Sequence, residues 1–320
     1  MSSQRELKVV SLFSGCGGSS LGYKLAGYRV LMAADIDPHA VETYGLNFPD
    51  TPVFAGDVRE LDAAHIRDLT GEALPAGELD VLDGSPPCQG FSMAGQREVF
   101  DERNFLFVEY VRLLAELQPR TFVMENVSGM LRGQHRWVFG EIWKRLEAAG
   151  YVVAAKLLDA SLLGVPQRRL RVIFVGVRRD LELNPVHPDP LPGPRPTLGE
   201  AFVGLPEDRS RSVGDLGIAL WRRTPPGESF ASRHPRGQWF SHVKCHPNRP
   251  ANTLTKTTNL YHWSYPRFLN EAEIRRVSSF PDDFVVNGGL VKTWARFGNA
   301  VPPKMMQAVA AKLRDEVLAA

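Results

Sequence analysis

Over the first 180 residues, short apolar runs alternate with stretches of helical period. The runs at 8–13, 30–34, 52–54, 79–82, 121–124, 152–157 and 172–177 have strand length. Between them, 18–25, 38–47, 105–117 and 137–149 read as helices; Gly27 closes the first, and Pro38 suits the first turn of the second. This alternation predicts a doubly wound α/β domain. The character changes after Asp180: seven prolines fall between Asn184 and Pro206, where neither helix nor central strand tolerates them. We read that stretch as the passage into a smaller, loop-rich domain. Helical pattern returns at 270–279 and at 303–318, with Pro303 at a helix start.

Composition narrows the class without naming it. The chain has 320 residues, enough for one large domain or two smaller ones, and its 43% hydrophobic and 23% charged content is that of a soluble globular protein. No apolar run approaches the ~20 residues of a membrane span. The polar start, 1–6, leads straight into a strand and is not that of a signal peptide. Three cysteines (Cys16, Cys88, Cys245) are too few and too scattered for a disulfide framework, which favours a reduced, cytoplasmic setting. Net charge is +2, yet 220–270 carries eight Lys/Arg and one acid, Glu228. Eight aromatic rings share that stretch, among them Trp221, Phe230, Trp239, Phe240 and Tyr261. The mixture suits a nucleic-acid surface and, equally, a partly solvated Arg-rich domain.

Three fragments carry chemistry. Pro86-Pro87-Cys88-Gln89 offers a thiol in a stiff loop, Glu125-Asn126-Val127 a carboxylate where an apolar strand ends, and Gln167-Arg168-Arg169-Leu170-Arg171 cations at the start of another strand. A nucleophile, a carboxyl proton handler and fixed positive charge suit addition to an electron-poor ring. Upstream, the glycine turn Phe13-Ser14-Gly15-Cys16-Gly17-Gly18 stands between a strand and a helix, and Asp35 ends the next strand. This is a dinucleotide-type arrangement, but Ser20 occupies the third glycine position of the strict pattern. With Asp35 placed for ribose hydroxyls and Asp57 for an adenine amine, the set suits adenosine without a pyrophosphate, so S-adenosylmethionine fits better than NAD.

These fragments, with Asp35-Ile36-Asp37, Gly56-Asp57-Val58, Gly84–Ser92 and Phe297-Gly298-Asn299-Ala300-Val301-Pro302-Pro303, stand in the order of the DNA (cytosine-5) methyltransferase family. The chain resembles its bacterial single-chain type nearly end to end. The resemblance implies a Rossmann-like S-adenosylmethionine-dependent domain over 1–180 and 266–320 and a loop/β-rich target-recognition domain over 181–265. It implies that Cys88 attacks carbon 6 of a flipped cytosine, that Glu125 contacts the ring, and that Arg171 with Arg169 fixes both. The implied cofactor residues are Phe13, Gly15, Cys16, Gly17, Asp35, Ile36, Asp57, Val58, Pro86, Leu106, Asn299, Ala300 and Val301. The family more often has Glu at the position of Asp35 and a bulky aromatic at that of Ile36, which shifts adenine stacking toward Phe13. Asn270 stands where a Thr is usual.

The implied substrate is double-stranded DNA. Ser92, Gln96 and Arg97 lie in the loop that would close over it, and Arg233, Arg236, Gln238 and Lys244 are candidates for base edges. His234, His242, Cys245 and His246 match no common zinc spacing, so no metal is expected. A monomer on the bacterial nucleoid is expected, with a paired restriction endonuclease acting on the same site without a stable complex. Two alternatives stay open. A transfer-RNA cytosine methyltransferase would usually carry a Cys-Phe-Thr tripeptide, absent here; an inactive DNA-binding scaffold would have lost a catalytic residue, and none is lost.

Overall fold

The computed structural model describes residues 5–87, 105–131 and 136–319. It divides into two units, one of Met1–Leu158, Leu170–Asp189 and Met306–Ala320, the other of Asp159–Arg169 and Pro190–Met305.

The first unit is built on strands β1 (Leu7–Leu12), β2 (Tyr28–Asp35), β3 (Val53–Ala55), β4 (Val81–Gly84), β5 (Thr121–Val127), β6 (Tyr151–Asp159) and β7 (Leu170–Arg178). With them run helices α1 (Gly18–Leu25), α2 (Pro38–Asn47), α3 (Ala63–Thr70), α4 (Phe105–Leu117) and α5 (Arg136–Ala148). The strands form one sheet in the order β3-β2-β1-β4-β5-β7-β6. Neighbours from β3 to β5 are parallel, and β7 is antiparallel to β5. Chain order reverses between β1 and β4, and ligands of open α/β sheets bind outside the strand ends at such a switch point. The glycine turn and the Pro86-Pro87 segment both leave the sheet there.

One face of the sheet presents Val10, Leu12, Leu82, Phe122 and Met124 to Tyr110, Leu113 and Leu117 of α4 and Ile142 and Leu146 of α5. The Tyr110 hydroxyl donates to the carbonyls of Leu82 at 3.1 Å and Val123 at 3.3 Å, tying α4 to β4 and β5. Asp37 caps α2, its Oδ1 accepting from the His39 amide at 2.9 Å ahead of Pro38. Gly17 stands just before α1 as its N-cap at φ 93°, where a Cβ would lie 2.3 Å from the Phe48 ring, so only glycine fits. At the far end of the chain, Ala310 accepts from the Tyr28 hydroxyl at 3.0 Å.

The second unit holds α6 (Leu198–Ala201), α7 (Asp215–Arg223), α8 (Glu271–Val277), α9 (Gly289–Asn299) and a parallel pair, β8 (Val243–Lys244) with β9 (Leu260–Tyr261). The expected recognition segment 181–265 lies mostly within it, and the unit also takes in 266–305. Arg267, 2% exposed, organises its interior: both terminal nitrogens reach Glu273, at 2.7 and 2.8 Å, and Nε donates to the Asp208 carbonyl at 2.8 Å. Asn270 supplies a full capping box for α8 with Glu273, so the departure from Thr costs no hydrogen bond. The last helix, α10 (Pro303–Leu313), widens into a π-type turn at Arg314–Leu318. Among the described residues, no helix is long and apolar enough to cross a membrane.

Candidate active site

At the end of β1 the chain enters the glycine turn through Phe13, whose φ of 54° is unusual for a side-chain-bearing residue. The Ser14 amide donates to the Ala34 carbonyl at 3.0 Å, and the Gly15 amide to Asp35 Oδ2 at 2.7 Å, so the end of β2 shapes the turn. Asp35 Oδ1 accepts from the Asp37 amide at 2.9 Å, and burial raises the Asp35 pKa. A side chain at Gly15 would meet nothing within 4 Å, which leaves open space above the turn. Ile36 is 68% exposed beside it, an apolar surface with no cover. Asp57 accepts from Arg59 through its amide, Nε and Nη2, and these bonds lower the Asp57 pKa. Val58 and Cys16 are buried, and Leu106 packs partly buried against the core. An open turn, two carboxylates at successive strand ends and an uncovered apolar side chain fit the hydroxyls, amine and base of an adenosine.

Glu125 and Asn126 lie inside β5 rather than after it, because antiparallel pairing with β7 carries the strand on to Val127↔Arg171. Glu125 stands opposite Ile173, so Arg171 is its diagonal neighbour on the same face. Arg171 Nε lies 2.6 Å from Glu125 Oε1, both side chains largely buried. Asn126, a residue to which the sequence assigned no role of its own, donates from Nδ2 to the Pro86 carbonyl at 3.1 Å. Its Oδ1 accepts from the Val127 amide at 2.8 Å. Pro86 is buried and Pro87 exposed, and the chain then leads to Cys88. Cys88, Ser92, Gln96 and Arg97 lie outside the described residues. Arg59 and Asp83 also escaped the sequence reading; Asp83 sits in β4, which extends two residues beyond the expected apolar run.

In the second unit, Arg169 is 2% exposed and donates from Nη1 to the Leu254 carbonyl at 3.0 Å and from Nη2 to that of Gly298 at 2.9 Å. These bonds give it an internal anchoring task. Gly298 packs so tightly that a Cβ would lie 2.1 Å from the Thr255 carbonyl oxygen. Asn299 ends α9 exposed, and Ala300 and Val301 are buried. Lys244 departs from the expectation. It is 7% exposed, with Nζ 3.7 Å from the centroid of the Trp221 ring and donating to the Trp221 carbonyl, so its ammonium is spent inside the unit. Arg233, Arg236 and Gln238 are exposed. His234 Nδ1 accepts from the amides of Arg236 and Gln238, which fixes the backbone between them. Of the aromatic residues in the basic stretch, Phe230 and Tyr261 are core, while Phe240 is 78% exposed.

The family model of C-5 cytosine-specific DNA methylases matches residues 7–315. Among curated relatives, the chain is 34% identical to the Type II methyltransferase M1.HphI of Haemophilus parahaemolyticus, over 95% of this chain and 86% of that one. It is 32% identical to M.NgoFVII of Neisseria gonorrhoeae, over 95% and 85%. Among solved structures, a prophage-encoded E. coli protein given as a candidate DNA modification methyltransferase superposes with a TM-score of 0.79 at 27% identity, covering 98% of this chain and all of that one. The Spodoptera frugiperda DNMT2 structure shares the fold with a TM-score of 0.70 at 20% identity, over 94% and 98%.

Proposed function

The chain belongs to the C-5 cytosine-specific DNA methylase family, and from that premise we propose how its own residues carry the methyl transfer. It is a DNA cytosine-5 methyltransferase. Bound S-adenosylmethionine supplies an electrophilic methyl group on a sulfonium. Asp35 takes the ribose hydroxyls and Asp57 the adenine amine. Phe13 and Ile36 give the base an apolar surface, and the Gly15–Gly17 backbone, Val58, Pro86 and Leu106 line the rest.

The target cytosine leaves the duplex, since its carbon 6 is out of reach in the stack. Cys88, as thiolate, bonds to carbon 6 while the π electrons of the C5–C6 bond move toward carbon 5. Glu125 meets ring nitrogen 3 and the exocyclic amine and stabilises the redistributed charge. Arg171 holds Glu125 in the required orientation. Carbon 5 would take the methyl as the sulfonium's S–CH3 bond breaks, its sulfur keeping the pair and leaving as a neutral thioether; loss of the carbon 5 proton to water returns the electron pair, re-forms the C5–C6 double bond and expels Cys88 as thiolate. The Glu125–Arg171 pair at the end of β5, beside the Asn126 amide that holds Pro86, supports this reading most directly.

Arg233, Arg236 and Gln238 are assigned to the DNA surface, where Arg suits guanine and Gln adenine. The relatives are named as Type II methyltransferases, which supports protection of genomic sites from a paired endonuclease; the chain is assigned as a monomer working on cytoplasmic DNA.

Incubation of the chain with labelled S-adenosylmethionine and unmethylated genomic DNA, or transfer RNA, tests the assignment beside Cys88→Ala. Label in DNA as 5-methylcytosine, lost in the variant, is the expected result. Label in transfer RNA alone would overturn it in favour of an RNA substrate, and cofactor binding without transfer would mark an inactive scaffold.

A further inference from the structure

Strands of a parallel sheet covered on both faces are ordinarily lined with aliphatic residues. Here one face carries a polar stripe. Ser11 on β1 stands beside Asp83 on β4, Asp83 beside Val123 on β5, and Glu125 two residues further along β5. Asp83 is 2% exposed. Its Oδ2 accepts from Ser11 Oγ at 2.8 Å and from Ser19 Oγ at 2.7 Å. Ser11 is the next-to-last residue of β1, just before the glycine turn, and Ser19 lies in the first turn of α1, just after it. One oxygen therefore ties both legs of the turn to β4. The residues that follow Asp83 are Gly84-Ser85-Pro86-Pro87 and then Cys88.

An aliphatic residue at position 83 would pack in the sheet without the cost of a buried carboxyl, so the acid calls for a reason. The titratable groups that act on it are the Tyr23 phenol from α1, the Tyr44 phenol from α2, the Tyr110 phenol from α4 and the Glu125 carboxyl from β5. Burial keeps the three phenols protonated, and Glu125 is of like charge. Burial chiefly, with Glu125 adding to it, pushes Asp83 up to about 7, against the opposing bonds from Ser19 and Ser11. The side chain thus serves as an acceptor of two hydroxyl protons with little need of its charge.

We infer that Asp83 is a positioning residue for methyl transfer, a clamp that sets the cofactor's glycine turn against the strand leading to Cys88. The inference rests on the methyltransferase reading above. Asparagine keeps the shape and the acceptor oxygen and removes the charge; alanine removes the clamp; Ser19→Ala removes one leg of it.

The test compares Asp83→Asn, Asp83→Ala and Ser19→Ala with the unaltered chain. It reads the dissociation constant of S-adenosylmethionine without DNA, the cofactor KM and kcat on unmethylated genomic DNA, and the thermal midpoint. Loss of one or two net hydrogen bonds in the clamp predicts a cofactor Kd and KM raised about tenfold or more in Asp83→Ala and Ser19→Ala. The kcat at saturating cofactor falls less, and Asp83→Asn stays within about threefold on this scale. Folded Asp83→Ala or Ser19→Ala with unaltered Kd and KM would overturn the inference. So would an Asp83→Asn chain as impaired as Asp83→Ala, since that would make the charge the active feature. Where Asp83→Ala fails to fold, Ser19→Ala decides. If the unaltered chain binds the cofactor yet methylates no DNA, the function reading has failed, and the binding arm still decides the clamp.

Discussion

Arg171 Nε meets Glu125 Oε1 at 2.6 Å across two antiparallel strands, in a diagonal pairing that both backbones enforce. Between largely buried groups the attraction of opposite charges is little screened. It leaves Glu125 Oε2 to be presented in one orientation, which a carboxylate meeting a ring nitrogen and an amine requires.

Removing Arg171 should therefore act on turnover more than on binding. Arg171→Ala is expected to lower kcat by ~10²-fold, the scale of losing one oriented polar group, with the cofactor KM little changed. Arg171→Lys should recover only part, because an ammonium lacks the guanidinium's fixed geometry. Steady-state kinetics on unmethylated DNA check both.

Asn126 makes a second prediction. Without its Nδ2 donor the buried Pro86 carbonyl loses its partner, a cost of about 1–3 kcal/mol placed on the segment leading to Cys88. Asn126→Asp, which turns a carboxylate oxygen toward that carbonyl, should impair kcat more than Asn126→Ala does. Cofactor binding, which Pro86 also lines, should weaken less than kcat falls in both, as calorimetry beside steady-state kinetics would show.

The buried Asp83 gives stability a pH dependence of unusual sign. Between the ordinary carboxylate range and about 7, the folded chain holds a proton that the unfolded chain has released. Rising pH therefore destabilises the fold across that window and levels off above it, by up to about 4 kcal/mol. Acids held low by their partners, such as the half-buried Asp208, lowered to about 2 by bonds from Ser210, act in the opposite sense, but equally in every variant. The difference in thermal midpoint between Asp83→Asn and the unaltered chain should grow in favour of Asn from pH 5 to pH 8. A constant difference would contradict the assignment.

Much of this was legible from apolar runs and strand-end residues. Glu125 and Asp35 were readable because an acid that follows a buried run in an α/β chain stands at the sheet's ligand-binding edge. Asp83 was not, since its run passes straight into the Gly84-Ser85-Pro86-Pro87 segment that drew the reading, and only the pairing of β4 with β1 brings it, buried, beside Ser11. Helix α9 was missed because Gly288 and Gly289, both at positive φ, read as loop. Arg169 and Lys244 look in sequence like free cations. Burial decides their tasks, and burial of a long polar side chain in a loop-rich unit leaves no periodic mark. The same holds for Phe230 and Tyr261, which belong to core where composition suggested surface.

Sequence preference should follow the exposed group that His234 organises. Arg236→Ala and Gln238→Ala are expected to relax the methylated site by about 1–3 kcal/mol of discrimination at one base pair each. Lys244→Gln, by contrast, should lower the thermal midpoint and leave the site unaltered. Sequencing of methylated cytosines in treated genomic DNA reads these outcomes.

The central claim is that Cys88 bonds to carbon 6 and that carbon 5 must then lose its proton to release it. DNA in which cytosines carry fluorine at carbon 5 tests this directly, because fluorine does not leave as a proton does. With S-adenosylmethionine present, the chain should form a complex with such DNA that survives denaturation, maps to the peptide containing Cys88 and is absent in Cys88→Ala. A chain that methylates ordinary DNA yet forms no such complex, or forms it through another residue, would contradict the account.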